Sequence, residues 1–190
     1  MANYLDKSAL TELDEYRKKI FALREEAYKK FEIDLLDNDT LSALSMHEII
    51  EQYDPEYNIN FARNGEDGKS GEVLIEQKAS RVEKKKKTGV YPNASFQFHA
   101  QGDIEYDRYI FATRDRVTLD IIRIYDISVE ENVKLVQEHL LGQRQEWEDR
   151  CAKDKKYMKR DVIVLPEDLL IAKLANSTRQ VINNCEVIRA

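Results

Sequence analysis

Glu72-Val73-Leu74-Ile75-Glu76-Gln77-Lys78-Ala79-Ser80, preceded by Asn64-Gly65-Glu66-Asp67-Gly68-Lys69-Ser70-Gly71, decides how this chain is read. Val73, Ile75 and Gln77 alternate with Glu72, Leu74, Glu76 and Lys78, and a period of two with β-branched residues predicts a strand. The Gly-rich segment has the composition of a hairpin loop, and residues 57–63 before it alternate again. The expectation is a β-hairpin whose second strand sets a carboxylate and an amine side by side on one face. Apolar neighbours offer no structural use for either charge.

Asp67, Glu76 and Lys78 have a use in common. Two carboxylates hold Mg²⁺, a hard cation that prefers oxygen and keeps several waters. A lysine beside such a metal orients or deprotonates the attacking water while charge on a phosphate is neutralised. The pattern resembles the PD-(D/E)xK nucleases, the superfamily of many type II restriction endonucleases. Asp67 matches the first acid, Glu76 the (D/E) and Lys78 the lysine. The two acids stand nine positions apart, at the short end for that family, and Glu66 replaces the proline before the first acid. Glu72 is the alternative first acid. The same triplet recurs as Glu83-Lys84-Lys85 and Asp154-Lys155-Lys156, both in polar runs that solvation explains. Only the copy at 76–78 ends an apolar strand below an acid-bearing loop; the competing account is an edge strand with surface charges. The resemblance covers residues 40–165. It implies a helix–three strands–helix–strand core and Mg²⁺ on Asp67, Glu76 and the main-chain carbonyl of Gln77. It also implies hydrolysis leaving 5′-phosphate and 3′-hydroxyl ends.

The length of 190 residues fits one domain: a helical segment over 1–36, a core over 40–165, and a C-terminal helix and tail over 166–190. No apolar run reaches the length of a membrane span, and the first residues lack the regions of a signal peptide. Cys151 and Cys185 have neither zinc nor disulfide-framework spacing, which suits a reducing cytoplasm. Dinucleotide, P-loop and GxSxG motifs are absent. The net charge of −6 is awkward for a protein that holds DNA unaided. Between positions 61 and 99, however, eight basic residues face five acids, so a basic region surrounds the candidate site.

Leu10, Leu13, Tyr16, Ile20, Leu23, Ala27 and Phe31 step by three and four, predicting an amphipathic helix over 8–31 that docks on the core or forms a dimer seam. A second helix follows the capping residues 37–40 and stops before Pro55. On it Glu48 has two readings: the additional glutamate of PD-(D/E)xK folds, or the closing member of a capping box, Ser45-Met46-His47-Glu48. After the hairpin, Lys84-Lys85-Lys86-Lys87 reads as a solvated loop or as phosphate contacts. Residues 94–100 alternate as a third strand with His99 opposite Phe96 and Phe98, a structural histidine or one that touches the site. Further strands are expected over 109–113, 119–127 and 161–165. A helix opens with the capping box Ser128–Glu131 and is interrupted by Gly142, and another begins at Pro166. The fold class is α/β or α+β, a mixed central sheet flanked by helices, restriction endonuclease-like.

The expected function is a Mg²⁺-dependent DNA endonuclease subunit of a restriction system. A minimal nuclease core uses nearly all the length, and no separate base-reading module is evident. This resembles the small cleavage subunits of heterodimeric type IIS enzymes, where a larger partner recognises double-stranded DNA; a homodimer is the alternative. The rival classes are a nuclease-like DNA-binding subunit without chemistry and a structural interaction protein.

Overall fold

The computed structural model describes residues 7–60 and 67–190. Residues 61–63 of the expected strand over 57–63, and residues 64–66 of the Gly-rich segment, lie outside the described residues. The chain divides into two compact units, residues 1–42 and 43–190.

The first unit is built on helix α1, Lys7–Phe31, at the predicted place. Its polar surface is laced by Lys18–Asp14 (2.8 Å) and Lys29–Glu25 (2.7 Å), the i,i+4 pairs that support a solvated helix. Glu32, at φ 60°, ends it in the left-handed conformation typical just past a helix C-terminus. Arg24 then grips Asp34 through two nitrogens (2.7 and 2.5 Å), and Asp37 accepts from the backbone N–H of Thr40 (3.0 Å) at the start of α2, Asn38–Ile50. The helix therefore runs unbroken through Ser45 to Glu48. Those residues are helix interior, and the capping box expected there does not exist.

The second unit is a seven-stranded mixed sheet. β1 (Tyr57–Ile59), β2 (Gly68–Ser70) and β3 (Val73–Val82) form an antiparallel meander. The Gly-rich segment thus holds a strand, and the β2–β3 turn is only Gly71-Glu72, with Gly71 at φ 59°. β4 (Ser95–Phe98) leaves this sheet, whereas β5 (Arg108–Asp115) runs parallel to β3 and β6 (Ile121–Ile127) antiparallel to β5. Helix α3, Glu130–Lys153, leads to a 3-10 turn at Lys155–Lys159 and then to β7 (Ile163–Pro166), which pairs with β4 in a separate two-stranded sheet. After the short α4 (Glu167–Lys173), the hairpin β8 (Thr178–Ile182) and β9 (Cys185–Arg189) closes the order β1-β2-β3-β5-β6-β9-β8.

Three expectations are corrected. α3 passes through Gly142 without interruption: the position is exposed and a side chain there would meet nothing, so glycine costs the helix only its propensity. The Ser128–Glu131 capping box does not form. Val129 caps without a side-chain bond, and the C-terminal residue's carbonyl, Ala190 O, accepts from Ser128 and Val129 N–H (2.7 and 3.1 Å). The C-terminal tail is a hairpin in the sheet, turned by Asn183 and Asn184 at φ 49° and 62°, a two-residue turn that asparagine tolerates.

Each sheet face buries its own core. Met46, Ile49 and Ile50 of α2 pack with Tyr57, Ile75, Ile110, Ile124 and Val187. The opposite face puts Phe96, Phe98, Tyr109, Phe111 and Tyr125 against Val133, Val136 and Leu140 of α3. The architecture is mixed α/β, as the alternation and helical periods predict. No described helix is long and apolar enough to cross a membrane.

Candidate active site

The two-residue period of β3 sends Ile75 and Gln77 into the α2 core and Glu76 and Lys78 to the other face, level with Tyr109 and Phe111 of β5. Asp67 lies where the β2–β3 ladder ends. Its N–H donates to Ile75 O (3.0 Å) and its carbonyl accepts from Asn60 N–H (2.8 Å), so the backbone is held from both sides. The next position must be glycine: a Cβ on Gly68 would stand 2.9 Å from Asn58 O and 3.1 Å from the Gln77 amide.

So placed, Asp67 converges with the other two. Its Oδ2 accepts from Gln77 N–H (2.9 Å) and from Lys78 Nζ (3.2 Å), and Lys78 Nζ also ion-pairs with Glu76 Oε1. Gln77 Nε2 donates to the Asp67 carbonyl (3.3 Å) from the far face. A residue's N–H and C=O point to the same edge of a strand, so the Gln77 carbonyl faces the edge on which Asp67 lies. Exposure rises across the cluster: the side chain is 8% exposed in Glu76, 27% in Lys78 and 39% in Asp67. One ammonium bridges two carboxylates at a site open on the Asp67 side.

Burial pushes the Glu76 carboxyl up to about 7, aided by the like charge of Asp67 and opposed by Lys78. Burial alone would lower Lys78, but Asp67 and Glu76 outweigh it and hold the ammonium above its ordinary value. Lys78 is therefore a cation and hydrogen-bond donor at neutral pH rather than a free base.

Two aromatic residues complete the surroundings, and neither stands out in the sequence. The Phe98 ring lies 5.5 Å from Lys78 Nζ, presenting its face to the cation. The Tyr106 hydroxyl interacts with Glu76, and its ring meets Tyr109 edge-on at 6.0 Å. The loop carrying Tyr106 is tied down: Gln137 of α3 donates to Tyr106 O (3.1 Å), and Asp107 exchanges bonds with Leu74 (2.9 and 3.1 Å). Only their position before β5 in the folded chain brings these residues to β3.

The remaining candidates do not converge. Glu72 is exposed in the β2–β3 turn, four residues or about 13 Å of strand from Glu76. Glu48 is exposed on α2, whose apolar side packs on the opposite sheet face. It lines a separate open cleft of about 560 Å³ with Ser45, Tyr91, Thr118, Asp120 and Asn183. The His99 side chain is 83% exposed beyond the end of β4, and its nearest acid is Asp161 at 3.9 Å. Lys84, Lys85, Lys86 and Lys87 form an exposed loop after β3, closed by Gly89 N–H to Lys85 O (2.8 Å), with Lys84 Nζ 5.5 Å from the Tyr91 ring centre.

The donor set suits a hard cation. Two carboxylates against one lysine leave the site net negative, and the Asp67 side is open to solvent. Among the described residues no third His, Cys, Asp or Glu side chain joins them. The further protein ligand would be the Gln77 carbonyl, with water filling the rest of the shell. Comparison of the chain with family models, with curated proteins and with solved structures returned no match.

Proposed function

We propose that this chain is a Mg²⁺-dependent endonuclease subunit that hydrolyses phosphodiester bonds of double-stranded DNA, a cytoplasmic restriction-type enzyme relying on a larger subunit for recognition. One observation carries the reading: Asp67, Glu76 and Lys78, scattered over twelve positions, meet at a single ammonium. The arrangement agrees with the resemblance to the PD-(D/E)xK nucleases. A buried acid, a second acid and a lysine have little structural reason to share one strand end, because burying charge costs unless function retains it.

Asp67, Glu76 and the Gln77 carbonyl would hold the metal. When bound, Mg²⁺ supplies charge neutralisation at the phosphate and acidifies water. The chain's own groups do the rest. Lys78, kept protonated, donates to a phosphate oxygen or to the attacking water and fixes its line of approach. Glu76, ionised and held by Tyr106, would serve as a metal ligand, and the proton of the metal-acidified water would leave to solvent on the open Asp67 side. Phe98 keeps the lysine from swinging away.

The test is cleavage of plasmid DNA with Mg²⁺, with and without the recognition subunit. Glu76→Ala and Lys78→Ala are each expected to lower the cleavage rate by about 10²-fold or more. Both should fold, since without Lys78 the Glu76 carboxyl simply retains its proton. Full activity in either variant overturns the assignment.

A further inference from the structure

We propose that the side-chain amide of Gln77 is a positioning group for Asp67, holding that acid from the far face of β3 so that its carboxylate faces Lys78 and the cation. The inference rests on the metal-site reading of Asp67, Glu76 and Lys78. Gln77 occupies a core position. Ile75, on the same face of the strand, packs with Met46, Ile49 and Ile50 of α2, and Gln77 itself is only 7% exposed. An apolar residue would continue the alternation there. A buried amide costs free energy unless its groups are paired, and Gln77 Oε1 has no hydrogen-bond partner among the described residues. The oxygen end of this side chain therefore adds nothing to the fold. The nitrogen end donates to the Asp67 carbonyl (3.3 Å).

Asp67 stands one residue outside the last paired position of the β2–β3 ladder, Gly68 with Ile75. Beyond that point two bonds from Gln77 take over. Its main-chain N–H reaches the carboxylate at Oδ2 (2.9 Å), and its Nε2 reaches the carbonyl. One residue thus grips the acid at both main chain and side chain, and rotating either end of Asp67 breaks a bond. The carbonyl has two lone pairs, so it also accepts from Asn60 N–H (2.8 Å). The amide has room because position 68 carries no side chain: a Cβ there would lie 3.1 Å from Nε2 and 3.2 Å from the Tyr57 ring. That buried ring walls the slot and is itself backed by the His47 ring at 5.6 Å. The amide lies on the face opposite Glu76 and Lys78, so it acts on a cation only through Asp67. Groups that orient a metal ligand in this way typically change metal affinity by about 10- to 100-fold.

The experiment reads Mn²⁺ binding without DNA, from the electron paramagnetic resonance signal of the free ion; Mn²⁺ takes the same oxygen ligands as Mg²⁺. Gln77→Met, of similar length but without the donor, is expected to weaken Mn²⁺ affinity about 10-fold or more. Its melting temperature in EDTA should stay within about 3 °C of the wild type or rise, which a structural role for the amide would not allow. Gln77→Asn keeps an amide but withdraws it by one carbon–carbon bond, and should lose similar affinity. A loss below about 3-fold in Gln77→Met overturns the proposal. Should that variant melt more than about 3 °C lower, Gln77→Asn decides by the same two measurements, and a lower melting temperature there too assigns the amide to the fold and overturns the proposal. The metal reading fails separately. A wild-type chain that binds no Mn²⁺, or Asp67→Asn binding it as tightly as the wild type, removes the site and the positioning role together. Affinity lost in Asp67→Asn and kept in Gln77→Met removes the positioning role alone.

Discussion

Glu76 is the site carboxylate whose ionisation burial shifts, and that ionisation can be followed without catalysis. Its carboxyl, normally near 4.5, is raised to about 7 in the folded chain by burial. Between those values the folded state keeps a proton that the unfolded state has lost, so stability falls as pH rises from about 4.5 to about 7. Melting temperature in EDTA is expected to drop across that range in the wild type and to lose this dependence in Glu76→Gln. Added Mg²⁺ should raise the melting temperature above about pH 7 in the wild type and not in the variant, since only the ionised site binds the cation. The first acid is tested by cleavage. Asp67→Asn should reduce it severely, whereas Glu72→Gln, in an exposed turn away from the ammonium, should cut normally. Normal cutting by Asp67→Asn would move the first acid elsewhere.

At the scale of elements, the fold depends on a second buried carboxylate. Glu167, with no exposed side-chain surface at the start of α4, binds Arg123 and the Tyr125 hydroxyl of β6 (2.8 and 3.0 Å) and accepts from Ala94 N–H (2.5 Å) beside β4. It joins the small β4–β7 sheet to the large one. Glu167→Ala leaves Arg123 without its partner and should cost about 3–5 kcal/mol, measured by urea unfolding. A cost below about 1 kcal/mol would show that the joint is dispensable. Two helix positions should be silent, for structural reasons the sequence hides. Ser128→Ala removes no cap, because the bonds there run from backbone to Ala190. Glu48→Gln should keep both melting temperature and cleavage, since Glu48 neither caps α2 nor reaches the site. Loss of cleavage alone would restore it as a site carboxylate.

At the scale of the whole molecule, charge governs behaviour. An acidic body with local basic regions binds DNA weakly, because non-specific affinity scales with the number of phosphates neutralised. Nearly all of the second unit is sheet and covering helix, with no separate helix to enter a groove among the described residues. The isolated chain is therefore expected to bind with little sequence preference and cut poorly, and specific cleavage should appear when a larger recognition subunit is added. Sequence-specific cutting of a two-fold symmetric site by the purified chain alone would point to a homodimer instead.

Periodicity and chemistry by themselves determined a strand within 72–80, the long α1, the strands β5 and β6, the fold class, and the pairing of Glu76 with Lys78 on one face. Each depends on side chains two to four positions apart, so the information is local. Tertiary structure alone decided between Asp67 and Glu72, because a turn of two residues rather than eight sets which acid returns to the strand. It also sent Glu48 and His99 away from the site and brought Phe98 and Tyr106 to it. Those contacts join residues 20 or more positions apart, through a parallel β3–β5 pairing that no local pattern encodes. The C-terminal hairpin has a local signal in Asn183-Asn184 flanked by alternating residues, but its place between β6 and the sheet edge has none. Whether a strand of five residues inserts into a sheet is decided by the apolar surface waiting for Cys185, Val187 and Ile188, which exists only once the rest has folded.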